Sequence, residues 1–426
     1  MDFSHWKLSR ERSRLKRTPT SDETNMKAIQ VTPTATSSSR SILHILLFTF
    51  FAFVIVPVVM AGKPDGKGGG SGGDGGGDPP PATVPFRYEL TWLPNPTLDA
   101  AGNGFYVYPR GINAQGVTVG TYYSYYDDFS QRSGFMATAE TGLVDLNDVI
   151  QQPGYTIIGG GWINDSGVIV GQALNDVTGN PMIYRYYVSD EGETVFEEIL
   201  ANAQSLSRFA ANELGDVAYQ LSGQNEVRID RIDGTVVPPT TIPTGSFLAD
   251  IGLGNILVTD DSACYRITSG TNQADVFSGY SGNCMNLLGE IGAEGTMGKY
   301  KGAAVRLDES GVRTAITVVN SNPNGINTSG DIVGRFANSG YYPFLDTIDL
   351  GFLDLDPLLL SDVGSLEKWD GAANRTAISL SERVNVELAD GTIISLPLIC
   401  GRALVAGGIG EVQVIEGFIL KPVPAP

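Results

Sequence analysis

Ile112-Asn113-Ala114-Gln115-Gly116-Val117-Thr118-Val119-Gly120 recurs as Ile163-Asn164-Asp165-Ser166-Gly167-Val168-Ile169-Val170-Gly171 and as Ile326-Asn327-Thr328-Ser329-Gly330-Asp331-Ile332-Val333-Gly334. Asn and Gly tolerate a left-handed backbone, and Asn also bonds its own chain in an Asx-turn. Asn-x-x-Gly between two apolar runs is therefore a hairpin signal. The residues after the Gly alternate as in a half-buried strand. The closing Gly implies a bulge or a close backbone approach, because Gly otherwise weakens a strand. The structural turn residues are thus Asn113, Gly116, Asn164, Gly167, Asn327 and Gly330.

Weaker copies lie between and beyond these. They are Asn212-Glu213-Leu214-Gly215, a turn at Gly254, Asn286-Leu287-Leu288-Gly289, Asn374-Arg375-Thr376-Ala377 and Gly407-Gly408-Ile409-Gly410. The eight turns are 33 to 51 residues apart, a period typical of propellers and solenoids, and its spread argues against a strict solenoid. Short aromatic strands follow several turns, at Gly134-Phe135-Met136-Ala137, Pro343-Phe344-Leu345-Asp346 and Gly417-Phe418-Ile419-Leu420. Outer strands follow two of these, at Leu143 to Asn147 and Phe352 to Leu355. Each unit is an antiparallel meander of three or four strands.

This succession resembles the HAF family of extracellular repeats over residues 86–421. The resemblance implies a secreted bacterial repeat protein with a propeller-like fold, and it brings no catalytic residues with it. The ending Gly417 to Pro426 is similar to the last strand of relatives that carry a Val-Pro-Glu-Pro sorting tail. Here it reads Val423-Pro424-Ala425-Pro426, with no membrane helix or basic cluster, so that sorting route is not expected.

Residues 1–61 read as a secretory signal peptide with a long n-region, and Met26 is an alternative start. The apolar run Ser41 to Val59 is also close to the roughly 20 residues that span a bilayer, so an uncleaved anchor is the rival reading. The basic flank stays inside in either case and the rest is exported. Residues 62–85 form a Gly/Pro-rich flexible linker. Residues 86–426 form the repeat body. Phe86-Arg87-Tyr88-Glu89-Leu90-Thr91-Trp92-Leu93 alternates as a strand but precedes the first turn, and the last unit lacks an outer strand. The two defects complement each other. The expected fold is an all-β propeller of about seven blades (six or eight being alternatives), closed by pairing of the N-terminal strand with the C-terminal strand, which removes sheet edges. A brief helix is expected over Ser361 to Trp369.

The two histidines, His5 and His44, both lie in the leader. The body therefore has no Ser-His-Asp or Cys-His nucleophile system and no His-ligated metal. Neither a metal nor a cofactor is expected. Three cysteines suit neither a zinc nor an iron–sulfur site, and in an exported protein Cys264 and Cys284 are the candidate disulfide. Residues 1–61 hold 8 of the 28 basic and 4 of the 47 acidic side chains, so the remainder carries a net charge near −23. That charge disfavours nucleic acid and anionic membrane surfaces as partners. A monomer is expected, with no membrane insertion once the signal is cleaved.

Tyr122, Tyr123, Tyr125 and Tyr126, followed by Asp127 and Asp128, lie just after the first repeated strand, and Tyr341 and Tyr342 lie in the corresponding place after the sixth. Corresponding propeller loops emerge on one face, so these residues form a candidate ligand-binding surface for a cell-surface glycan or protein. The competing reading is that they are ordinary strand tyrosines packed between blades. The function expected is an exported, non-enzymatic binding or structural module at the cell surface or in the periplasm. The alternatives are a propeller glycosidase or polysaccharide lyase using carboxylates and Tyr, and a membrane-anchored surface protein with the same propeller.

Overall fold

The computed structural model describes residues 84–93, 105–124, 132–203, 206–271, 273–316, 320–337, 340–405 and 414–426. The leader and nearly all of the linker lie outside the described residues, as do Tyr125, Tyr126, Asp127, Asp128 and the Gly407–Gly410 turn.

Seven antiparallel sheets follow one another around a closed ring. Six have four strands in sequence order: blade I over residues 105–145, blade II over 155–200, blade III over 206–241, blade IV over 247–278, blade V over 280–315 and blade VI over 321–354. Blade VII is built from the strands Ala373–Glu387, Ile393–Val405 and Val414–Pro424 together with the N-terminal strand Phe86–Trp92. The last pairing is antiparallel and runs in unbroken register from Phe86 opposite Pro424 to Trp92 opposite Phe418. Phe86, Tyr88 and Leu90 alternate into the blade VII core, which also holds Ala377, Ile399, Phe418 and Leu420. The seven-bladed ring is thus closed by its two ends, as the complementary sequence defects require. The two-residue strand Leu359–Leu360 pairs in parallel outside the N-terminal strand and has no counterpart in the other blades.

The repeated turn joins the innermost strand of a blade to the second. Gly116, Gly167, Gly215, Gly254, Gly289 and Gly330 all take φ between +76° and +89°, the left-handed region that makes Gly the fitting residue. Asn327 shows what the Asn does. Its Oδ1 accepts the N–H of Asp331 in its own turn at 2.9 Å, and its Nδ2 donates to the carbonyl of Ser381 in the next blade at 3.1 Å. Asn113, Asn164, Asn212 and Asn286 repeat this pattern, so buried Asn side chains bridge five of the seven blade junctions. Blade IV has a shorter turn with Gly252 in place of Asn, and its junction with blade V is made by the backbone bond from Leu253 N–H to Leu287 O at 3.1 Å. In blade VII the Asn position is Ser381, whose Oγ accepts the Leu398 N–H at 3.0 Å. Beyond it the two strands continue as a long hairpin that turns at Leu388–Gly391. The turn expected at Asn374–Ala377 is therefore part of the innermost strand of blade VII, not a unit boundary.

The closing Gly of the motif marks a close approach. Innermost strands carry a bulge opposite it: Gly111 pairs with Val119 and Pro109 with Gly120, leaving Arg110 as the extra residue. A Cβ on Gly120 would lie 2.2 Å from the Tyr108 carbonyl oxygen and 2.6 Å from the Phe135 ring. Gly171 meets Tyr184, Gly334 meets Phe344 and Gly401 meets Phe418 in the same way. The aromatic residue of the third strand thus lies on the Gly of the second, and the two sequence signals are one packing unit.

Several local expectations are corrected. The outer strand of blade I is only Gly142–Asp145, and Leu146–Ile150 is a short helix capped by the Asp145 carboxylate. The other helix is Val363–Gly371, displaced slightly from the expected span and capped by Asp362. Cys264, Cys284 and Cys400 are all free and buried, so the candidate Cys264–Cys284 disulfide is not formed. Cys264 lies in the third strand of blade IV, whereas the Cys284 sulfur points back over Gly292 of its own blade, 3.9 Å from that residue's carbonyl oxygen.

Replacing Asn327 by Ala strands the Asp331 N–H and the Ser381 carbonyl in a buried site, and each orphaned group costs about 1–3 kcal/mol. Chemical denaturation is expected to show a loss of about 2–3 kcal/mol. Gly334→Ala is expected to cost about 3 kcal/mol by overpacking against Phe344 and the Asn322 carbonyl. Gly391→Ala, at an open hairpin tip with φ of +80°, is expected to cost roughly 1 kcal/mol. Equal effects at the two glycines would refute the packing role.

Candidate functional site

The inner strands surround a channel along the ring axis. Two cavities occupy it, of about 480 and 210 Å³, and both are lined by Arg110, Trp162, Ala211 and Asp250. The smaller one is bordered by the Asn-x-x-Gly turns, including Asn212, Glu213 and Asn286. The larger one opens toward the other face, where Tyr108, Tyr123, Arg132 and Gln172 line it. The bulges decide which side chains enter. A bulge re-aims its extra residue, and here it presents Arg110 of blade I, Asn324 of blade VI and Ile378 of blade VII to the channel.

The two ends differ in charge. At the turn end, Glu213 is half-buried beside acidic neighbours from other blades. Burial pushes its carboxyl up to about 8, and Glu382, Asp165 and Asp250 push the same way. Asp165 accepts the Ala114 N–H at 2.7 Å and Glu382 accepts the Thr328 N–H at 2.8 Å, so both tie a turn to the preceding blade. Burial raises Asp250 to about 7, against two backbone amides that favour its anion. Its oxygens accept from Met285 N–H and Ile251 N–H, both at 2.8 Å, which stitches blade IV to blade V.

The other end carries arginines and tyrosines. The rings of Tyr108 and Tyr123 stack with centroids 5.2 Å apart and planes 11° apart, and Tyr106 packs against both. The Arg402 guanidinium lies 4.6 Å from the Tyr108 ring centroid, and Arg335 lies 4.5 Å from that of Tyr341. Burial holds the Arg402 guanidinium below its ordinary range, and the positive charges of Arg110 and Arg335 act in the same direction. A succession of phenols and guanidiniums therefore runs from Tyr341 in blade VI through Arg335 and Arg402 to Tyr108 and Tyr123 in blade I. Arg110, Arg132, Arg335 and Arg402 form no ion pair with any described carboxylate. Arg185, Arg228, Arg231, Arg266, Arg306, Arg375 and Arg383 are all paired with one.

The sequence-derived tyrosines separate accordingly. Tyr123 lines the larger cavity, and Tyr341, on the same face two blades away, reaches it through the arginines. Tyr122, one residue from Tyr123 and so on the opposite side of its strand, donates to Asp145, and burial with that bond pushes its phenol up to about 12. It serves the blade rather than the channel. Tyr342 packs on Phe336 with Arg375 4.8 Å from its ring, away from the cavity-lining residues. Asp260 accepts from Ser262, Ala263 and Tyr265, as a turn acid does. Tyr108 and the four arginines were not singled out by sequence. Their signal was alternation: Tyr106 and Tyr108 share a strand side, opposite Val107.

Among the described residues no group of three or more His, Cys, Asp or Glu side chains is placed to hold a metal, and no helix is long and apolar enough to cross a membrane.

Ionising Glu213 in its acidic surroundings opposes folding. The folded chain keeps this proton up to about pH 8 while the unfolded chain releases it near 4.5, so the group's contribution falls as pH rises between those values. Glu213→Gln is expected to leave the melting temperature unchanged near pH 4.5 and to stabilise the protein above pH 8, by on the order of 1 kcal/mol after relief by channel water. A melting-temperature gain that is the same at both pH values would refute this account.

No family model matches the sequence, and no curated protein matches it. Among solved structures the chain is similar to a streptogramin B lyase, at 13% identity and a TM-score of 0.41, covering 79% of this chain and 98% of the other. It is also similar to the β-propeller domain of the Trilobed protease from Pyrococcus furiosus, at 11% identity and a TM-score of 0.48, covering 74% and 97%. A third is the acylaminoacyl peptidase of Pyrococcus horikoshii, at 9% identity and a TM-score of 0.45, covering 72% of this chain and 52% of the other. These likenesses concern the arrangement of strands alone, and the chain is a seven-bladed β-propeller on its own sheet topology.

Proposed function

We propose that the protein is an exported propeller of the HAF type that binds a ligand at the tyrosine-lined mouth of its central channel without transforming it. The observation that carries this reading is the larger cavity itself. It is concave, of a volume within the roughly 300–1,000 Å³ typical of small-molecule sites, and it combines stacked aromatic faces with a few polar side chains. Export rests on the apolar leader, and the non-enzymatic reading on the absence of histidine from the body.

A carboxylate-based glycosidase is less well supported. Hydrolysis of a glycoside needs one carboxyl protonated and a second ionised as nucleophile or base. Among the described residues Asp250 and Glu213 are the acids that line the channel, and burial raises both. Both oxygens of Asp250 are already engaged by backbone amides, one of its own strand at Ile251 and one of the adjoining blade at Met285. Neither acid is left as a low-pKa partner to the other.

Tyr123→Ala and Tyr108→Ala are expected to lower affinity for a bound glycan at least tenfold, as loss of a stacking face does, with binding read on an array of glycans and envelope components. Tyr122→Ala is expected to destabilise blade I instead, with affinity retained in the folded fraction. Release of product from any ligand on the array would overturn the non-enzymatic reading.

A further inference from the structure

The mouth of the channel is a local exception to the charge of the molecule. Outside the leader the chain carries a net charge near −23, yet Arg110 and Arg132 line one opening, with Arg402 against Tyr108 and Arg335 against Tyr341 beside it, and among the described residues none of the four is paired with a carboxylate. Most other arginines of the described chain have found a carboxylate within 3.1 Å. With acids so abundant, unpaired guanidiniums held in one another's field, one of them largely desolvated, are a site from which the counter-charge is missing. A guanidinium meets a carboxylate in a two-pronged, charge-assisted arrangement, which is its strongest pairing.

We propose that this mouth binds a short acidic saccharide, its carboxylate held by Arg110 and Arg402 and its ring laid against the phenols of Tyr108 and Tyr123. The proposal rests on the binding reading above and specifies its ligand. The phenols supply a flat amphipathic surface suited to a pyranose face. Thr121 and Gln172 line the same cavity and offer donors and acceptors for ring hydroxyls. The anion stays at the outer end of the larger cavity, because Asp250 lines that cavity where it meets the smaller one and Glu213 lines the smaller one beyond. Length is limited as well. The field of an acidic protein repels a polyanion, so attraction is confined to the mouth and a long polyuronate gains nothing over a trimer. A monoanionic carboxylate per ring also suits this setting better than a phosphate dianion, which the surrounding negative field penalises twice over.

The test is calorimetric titration of the purified full-length chain with tri-galacturonate, with neutral tri-galactose, and with inorganic phosphate and sulfate. Saturable binding of the acidic trimer is expected, at least tenfold tighter than that of the neutral one. It should weaken at least tenfold in Arg110→Gln, whose exposed side chain makes no hydrogen bond that folding needs, and in Arg402→Gln, with thermal melts confirming that both variants fold. Neutral tri-galactose binding as tightly, indifferent to Arg110→Gln, would overturn the acidic ligand and leave the binding reading standing. Phosphate or sulfate binding as tightly as the trimer would overturn the saccharide. Absence of binding by any of the four would overturn the inference, and the tyrosine variants on the glycan array would then judge the binding reading separately.

Discussion

One buried amide, repeated around the ring, is what the architecture depends on. Blades of a propeller splay outward, so their closest approach is at the inner rim, where the turns between first and second strands meet. Backbone groups there are out of reach of water and must be satisfied by neighbours. An Asn side chain does this for two blades at once, accepting from its own turn and donating to the next blade's carbonyl, as Asn113, Asn164, Asn212, Asn286 and Asn327 do. Asp lacks the donor and would bring a charge into a buried rim. The two junctions without this bond are special. Blade IV shortens its turn until backbone meets backbone, and at blade VII the two strands run on past the rim as a hairpin while the N-terminal strand closes the ring on the outside.

The same unit sets the lining of the channel. Closing glycines such as Gly120, Gly334 and Gly401 let an aromatic ring and a bulge carbonyl press onto the second strand. The bulge they accompany breaks the alternation of the first strand and turns one extra side chain toward the axis. Whatever residue occupies that slot becomes channel surface: arginine in blade I, asparagine in blade VI, isoleucine in blade VII. The repeat thereby separates what the fold needs, Asn and Gly at fixed places, from a position free to vary between blades and give each sector of the channel its chemistry.

This separation explains what was legible in the sequence. The turn glycines, the aromatic third strands and the unmatched terminal strands carry backbone requirements that few residues meet, so blade number and closure could be read from them. Blade VII was misread because Ser381 stands where Asn is expected, and Asn374 supplied a false turn. The site was only half legible. Tyr123 and Tyr341 lie in a noticeable cluster, but alternation separates Tyr123 from Tyr122, and Tyr341 reaches the cavity only through Arg335 and Arg402. Those arginines are single residues in separate blades, and a lone Arg on a strand reads as solvated. Cys264 and Cys284 show the converse: short separation in sequence places them in adjoining blades but does not set the direction of either thiol.

The charge of the channel follows from where acids can be placed. At the turn end a carboxylate can accept a backbone N–H of the preceding blade, as Asp165 and Glu382 do, so acids there contribute to closing the ring even as they raise Glu213. At the other end, where innermost strands begin, the side chains are farther from the rim bonds, and Glu294 of blade V accepts from the Asn322 side chain of blade VI at 2.8 Å rather than from a backbone N–H. Electrostatics would then favour carboxylates beside Arg110 and Arg402, since pairing would relieve the mutual repulsion of the guanidiniums and the burial of Arg402. Among the described residues no carboxylate is paired with either, in a chain rich in Asp and Glu. A folded protein that leaves such a pairing unmade gives up stability at that point, and an anion of the proposed kind would restore it.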